Sequence, residues 1–301
     1  MTRTLLAALF SVLFASPALA QLVIAHRGAS SYLPEHTLEA YALGYGMGAD
    51  YIEPDVVLSR DGVLICAHDL VMEDVTDVEE KFPDRARADG SWYWIDFDLD
   101  EIRTLWKTGR RGAEDSDDTK GYRVATLDEM IELVQRLNRQ LSERTGCVVG
   151  VIPEPKSPSF HRAEGQPIEV PLVQTLARFG YKAAADEAII QCFDLDSLEL
   201  MHKEGCELRL VWLLGDRPSN ADLRRAAAFC HGLGPNRKLL EDESGRGSPF
   251  LGGVRTLGLA LYPYTFKDEP EAMFRFFGTH RVEGLFTDNP DVGLRARRMA
   301  R

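Results

Sequence analysis

From Gln21 onward, short apolar runs alternate with longer stretches whose apolar positions recur every three or four residues. The short runs read as strands: "LVIAHRG" (22–28), "YIEPDVVLS" (51–59), "VLICAHD" (63–69), "CVVGVIPEPK" (147–156), "AIIQCFD" (188–194), "ELRLVWLL" (207–214), "LGLALYPY" (257–264) and "EGLFTDNP" (283–290), with a shorter candidate at "GLGPN" (232–236). Stretches such as "TLEAYALGYGMG", "TLDEMIELVQRLNRQL", "VPLVQTLARFG" and "DLDSLELMHKEG" read as helices, several stopped by a glycine. Strand and helix in alternation imply βα units and a parallel sheet. About eight such units fit an α/β fold closed as a TIM (β/α)8 barrel, and no dinucleotide-type glycine loop follows the first strand to favour an open doubly wound sheet.

Residues 72–125 break the rhythm with an acidic, aromatic-containing segment too long for a connecting loop. It reads as a small insertion capping one end of the barrel, with "DLDEIRTLW" as its best helix and Asp98 or Asp100 as N-cap. Trp92, Tyr93 and Trp94 either touch a ligand there or pack the insertion onto the barrel.

The first twenty residues, one arginine followed by an apolar run and Ala-Leu-Ala, have the layout of a cleaved secretory signal. Residues 21–301 are then the barrel, exported to a periplasm or secreted, and no later stretch approaches the ~20 apolar residues of a membrane span. The formal charge of the whole chain is −12, a surface that repels nucleic acid and anionic membranes. The five cysteines (Cys66, Cys147, Cys192, Cys206, Cys230) form no C-x-x-C pair, and most lie in apolar segments, so they read mainly as buried thiols rather than zinc ligands. An odd number leaves at least one without an intramolecular partner.

Chemistry-bearing residues fall at the downstream ends of the strands, which share one face in a βα barrel. His26 and Arg27 end the first strand, with Gly28 at the turn. Glu53 and Asp55, two apart, point to one side of theirs; Glu154 and Lys156 repeat the arrangement. Three carboxylates buried together need a neutralising cation, and all-oxygen ligation favours Ca²⁺ or Mg²⁺. Salt bridges to Arg27 and Lys156 are the competing reading, and spacing does not decide between them. His26 and His68 form a strand-end pair, as phosphodiester hydrolysis requires: one group to take a proton, another to give one, while Arg27 and Lys156 face the phosphate oxygens.

On these residues the sequence resembles the glycerophosphodiester phosphodiesterases, specifically their periplasmic bacterial branch. The matching pieces are "AHRGAS", "YLPEHT", "GADYIEPDV", "HDL", "VTDVEEKFPDRARADG", "WIDFDLDEI", "IPEPKSPSFHRAEG", "QCFD", "GLGPN", "YPYTF" and "GLFTDNPD", in family order. The resemblance implies a TIM barrel with a short insertion after the second βα region, one divalent cation, commonly Ca²⁺, and a small glycerophosphodiester substrate cleaved to glycerol 3-phosphate and an alcohol. It puts the catalytic roles on His26 and His68, the metal on Glu53, Asp55 and Glu154, and the phosphate contacts on Arg27 and Lys156. Gln191 and Phe193 match a family strand end bordering the site. Pro54 and Pro155 stand where the family more usually has a residue able to donate to the sheet, which implies altered local backbone. Glu35 is expected to hold the first loop against the barrel, and His161 lies in the loop after Lys156. Two other readings compete: phospholipase D-like cleavage of lysolipids or sphingolipids, which would want an apolar rim, and a non-catalytic binding protein, which predicts loss of a histidine or acid.

Overall fold

The computed structural model describes residues 21–108 and 121–301. The leader read at residues 1–20 and part of the insertion lie outside the described residues. Eleven short strands occur among those described: β1 (Leu22–His26), β2 (Tyr51–Glu53), β3 (Asp55–Leu58), β4 (Leu64–Cys66), β5 (Gly150–Val151), β6 (Glu154–Pro155), β7 (Ile189–Cys192), β8 (Arg209–Leu214), β9 (Gly232–Pro235), β10 (Ala260–Leu261) and β11 (Gly284–Thr287).

Eight of them close a parallel TIM barrel. β11, β1, β2 and β5 pair in that order, Val151 bridges to Ala188 at the start of β7, and β7, β8, β9 and β10 continue the ring. The amide of Glu283 donates to Leu261 O (3.1 Å) and that of Phe286 to Pro263 O (3.0 Å), which returns the ring to β11.

The period of two along a strand divides the barrel into layers. Ile24, Tyr51, Ile152, Ile189, Val211, Tyr262 and Phe286 form one buried cluster inside it. Two residues downstream of several of these, on the same inward face, stand His26, Glu53, Glu154, Gln191, Leu213 and Tyr264. Apolar packing thus fills the barrel, and the next layer up carries the polar groups. A second, larger cluster, with Val23, Ala25, Ile52, Ile190 and Leu210, lies between the strands and the surrounding helices.

The helices follow their sequence signals. Thr37 caps Leu38–Met47 by accepting from Ala40 N, and Gly48 ends it at φ 95°. Leu127–Thr145 begins with a capping box between Thr126 and Glu129. The helix expected near residues 98–106 shortens to Leu99–Ile102, with Asp98 at its N-cap.

One strand assignment changes. "VLICAHD" is not a barrel strand: β4 turns back antiparallel on β3, with Val56 opposite Cys66. The place in the barrel goes to β9, in "GLGPN". The run was misleading because β4 is buried on both faces, Leu64 and Cys66 against the main core and Ile65 against the insertion. The insertion lies inside the second βα unit, between its strand and the helix Leu127–Thr145. It has its own core, in which Met72, Val75, Val78, Trp94, Phe97, Ile102 and Leu105 pack with Val57, Ile65 and Ala67 of the β3–β4 hairpin region.

Where β1 turns toward the first helix, Gly28 sits at φ 87°, and a Cβ there would stand 2.6 Å from the carbonyl carbon of Ala40. Gly62 has a similar φ of 78° with open space around it. Gly62→Ala should cost about 1 kcal/mol from backbone strain alone, and Gly28→Ala about 3 kcal/mol or more, because steric overlap adds to the strain. Urea unfolding of the two variants checks this; equal losses would contradict it.

Candidate active site

All nine residues singled out from the sequence line one cleft at the downstream end of the barrel: His26, Arg27, Glu53, Asp55, His68, Glu154, Lys156, Gln191 and Phe193. Leu213, Tyr264, Thr265 and Phe286 complete its walls, and its volume is about 130 Å³. Phe193 is the most exposed of the nine, 45 % accessible at the rim.

The carboxylates meet because of a break in the second strand. Pro54 ends β2, yet Glu154 N donates to Pro54 O and Lys156 N to Val56 O, each at 2.9 Å. The chain therefore continues as β3 beside β6, with Asp55 opposite Glu154. The two prolines interrupt the ladder without parting the strands. Glu53, Asp55 and Glu154 each offer an oxygen within 4.8 Å of the others, and all three are buried.

Arg27 and Lys156 share the same space. The Arg27 backbone, at φ 57°, aims its amide at Glu53 Oε2 (2.7 Å). Its guanidinium lies 3.0 Å from Glu35 and 3.2 Å from Asp55. Glu35 thus stays on the first loop, paired to Arg27 and outside the acidic trio. Lys156 Nζ donates to Glu154 Oε1 at 2.6 Å and stands 3.4 Å from Asp55. The salt bridges of the competing reading are therefore present, yet the trio, together with Glu35, faces only two cations.

The imbalance appears in the protonation of the trio. Burial, reinforced by Asp55 and Glu154, holds the Glu53 carboxyl well above the usual carboxylate range. Burial also pushes Glu154 up to about 8, against the pull of Lys156. At Asp55 burial works the same way but is outweighed by Lys156, His36 and Arg27, and its carboxyl lies well below the ordinary value. Gln191 donates Nε2 to Glu53 Oε1 (3.1 Å), while its buried Oε1 has no hydrogen-bond partner among the described residues. Converging buried oxygens that take up protons when no further cation is beside them, with an orphaned amide oxygen alongside, fit a hard divalent cation.

The histidines are oriented alike. His26 Nδ1 lies 2.6 Å from Asp288 Oδ1, and His68 Nδ1 lies 2.7 Å from Asp69 Oδ1. With Nδ1 engaged, Nε2 is the nitrogen each ring has left for the cleft. Asp288 and His36 were not among the sequence candidates. His36 is fully buried between Tyr41 Oη (2.8 Å) and Asp55 Oδ2 (3.1 Å), so it steadies Asp55 from behind. Their available signal was position: Asp288 follows a strand end in "FTDNP", and His36 sits in the "PEHT" stretch beside Arg27.

Trp92, Tyr93 and Trp94 do not line the cleft. They pack the insertion, with Trp92 Nε1 donating to Phe82 O (2.7 Å) and Trp94 Nε1 to Asp69 O (3.0 Å). The five cysteines are all unpaired; Cys147 alone is exposed. No helix among the described residues is long and apolar enough to cross a membrane.

The model of the glycerophosphoryl diester phosphodiesterase family matches residues 26–292. A glycerophosphodiester phosphodiesterase of Haemophilus influenzae is 31 % identical, covering 91 % of this chain and 89 % of its own. One from Treponema pallidum is 29 % identical over 97 % of this chain and 96 % of its own. Among solved structures, an Oleispira antarctica phosphodiesterase in complex with its product sn-glycerol-3-phosphate superposes with a TM-score of 0.67 at 20 % identity, covering 92 % of this chain and 96 % of that one. A Thermotoga maritima glycerophosphodiester phosphodiesterase superposes with a TM-score of 0.63 at 20 % identity, covering 92 % and 98 %. At these identities the structural likeness speaks for the barrel fold.

His161 lies away from the cleft lining. It is buried, neither ring nitrogen has a partner among the described residues, and burial, opposed by Glu164, lowers its pKa to about 4. A base with a lower pKa in the folded state takes up a proton on unfolding. Its contribution to stability is complete above about pH 6.5 and is lost as pH falls toward 4. His161→Gln should therefore lose about 2 kcal/mol less than the wild type between pH 7 and pH 4.5 in urea titrations. Parallel losses would contradict this.

Proposed function

The chain belongs to the glycerophosphoryl diester phosphodiesterase family and is an enzyme of that class, and from this premise we propose that it hydrolyses glycerophosphodiesters such as glycerophosphocholine and glycerophosphoethanolamine to sn-glycerol 3-phosphate and an alcohol. The observation that carries the reading is the convergence in one cleft of two carboxylate-oriented imidazoles, two cationic side chains and a buried carboxylate trio.

In this reading Arg27 and Lys156 draw the phosphate oxygens into the cleft and offset their charge. One imidazole removes the proton from the attacking hydroxyl, and the other gives a proton to the departing alkoxide. The attacking group is the neighbouring hydroxyl of the substrate's own glycerol. It forms a cyclic phosphate, which water then opens as the histidines exchange roles. Asp288 and Asp69 keep each ring in the tautomer that leaves Nε2 for the cleft. Glu53, Asp55 and Glu154 would hold a divalent cation, Ca²⁺ or Mg²⁺, with Gln191 Oε1 as a neighbouring oxygen. When bound, the cation polarises the phosphate.

A cleft of about 130 Å³ admits a phosphate head. The reading places the enzyme in a periplasm, on the strength of the leader-like residues 1–20.

The test is turnover of glycerophosphocholine and of lysophosphatidylcholine, each with Ca²⁺, with Mg²⁺ and with chelator. Release of glycerol 3-phosphate from the first alone, lost on chelation, is expected. His26→Ala and His68→Ala should each lower kcat by about 10²- to 10⁴-fold. Full turnover in either variant, or cleavage of the lysolipid alone, would overturn the proposal.

A further inference from the structure

The insertion reaches the chain that follows β4 and the chain that follows β6, which pair with β3 on its two sides. On one side Trp94, buried, donates Nε1 to Asp69 O at 3.0 Å, and the carboxylate of the same Asp69 holds His68 Nδ1 at 2.7 Å. On the other side Tyr93 stacks on Phe160, with ring centroids 5.6 Å apart and planes inclined by 17°. Arg87 lies over the Tyr93 ring, its Cζ 4.3 Å from the centroid. Its guanidinium forks twice: to Asp96 of the insertion at 2.7 and 2.8 Å, and to Glu164 at 2.8 and 3.1 Å.

Phe160 and Glu164 belong to the short helical turn Pro158–Ala163 and its cap. That turn begins two residues after Lys156, across Ser157 at φ 43°. A lysine side chain is long and flexible, so where its ammonium rests depends on the backbone at its base. Here that backbone leads through a residue in a sparsely populated conformation straight into a turn held by a stack and a planar double fork.

We propose that the insertion is a brace at the mouth of the barrel, spanning from the chain after β4 to the chain after β6 and anchored beside His68 by Trp94, in which Arg87 and Tyr93 are positioning residues for Lys156. Neither touches the cleft; both act through the turn at 158–163. The role in phosphate binding rests on the function proposed above, whereas the restraint of the turn does not.

Two measurements on Arg87→Ala, Arg87→Lys, Tyr93→Ala and Tyr93→Phe test it, with Arg85→Ala as the control. Arg85 pairs with Glu101 at 2.8 Å and covers Phe97, all within the insertion, so its loss loosens the insertion without touching the turn. Arg87→Ala and Tyr93→Ala should speed amide exchange across 156–164 about tenfold and raise KM for the glycerophosphodiester about tenfold, while kcat changes less than about threefold. Tyr93→Phe, which keeps the stack, should behave as wild type. Arg87→Lys should not rescue, because an ammonium cannot fork to two carboxylates. Unchanged exchange in the two alanine variants, faster exchange with KM unmoved, or a KM rise in Arg85→Ala equal to that in Arg87→Ala would overturn the brace. Exchange needs no turnover, so a wild-type chain that hydrolyses no glycerophosphodiester would sink the proposed function and leave the brace to be judged by exchange alone.

Discussion

Three carboxyl groups lie buried within reach of one another at the mouth of the barrel, and with all three ionised the two cations beside them would leave a negative charge uncancelled. Protein interiors tolerate this only if the carboxyls take up protons or a further cation enters. The surroundings of the trio are arranged around that constraint. Pro54 ends one strand so that Asp55 can face Glu154 across a new pairing. Arg27 takes up a left-handed backbone so that its amide can meet Glu53. Positive φ at a residue other than glycine also occurs at His36, which backs Asp55, and at Ser157, which follows Lys156. Strain of this kind persists where neighbouring contacts over-determine the backbone, and three of the four such residues among those described border this site.

The layered barrel explains why so much of the site was legible in the chain. An inward apolar residue followed two positions later by a histidine, acid or amide repeats in "IAH", "YIE", "IPE" and "IIQ", and a parallel barrel turns that local rule into convergence. The same rule could not identify which apolar runs belong to the ring. β4 has the composition of a barrel strand because two different cores bury its two faces. β9, offered only as a shorter candidate at "GLGPN", carries glycines that weaken its strand signal, yet Gly232 and Gly234 lie where a Cβ would stand 2.9 Å from the Tyr262 ring and 2.4 Å from Leu213. Barrel geometry asked for small residues at places where strand propensity asks for large ones.

Partners separated widely along the chain were the other blind spot. Asp288 meets His26 across 262 positions, and nothing in either neighbourhood announces the other. His36 lay in view but reads as a loop residue until Asp55 is folded against it. The aromatic run at 92–94 left two roles open, and packing decided for the structural one: Trp94 and Tyr93 tie the insertion to the chain beside His68 and beside Lys156, Trp92 packs within the insertion, and none of the three lines the cleft. The acidic insertion thereby joins the account of the site as the support for His68 and Lys156.

The chemistry proposed for this cleft turns on an ion held by the trio. Calorimetric titration of chelator-treated protein with Ca²⁺ and Mg²⁺, run on the wild type and on Asp55→Asn, tests this most directly. One ion bound per wild-type chain, and none detectable in the variant, is the predicted result. No binding by the wild type, or undiminished binding by Asp55→Asn, would contradict it.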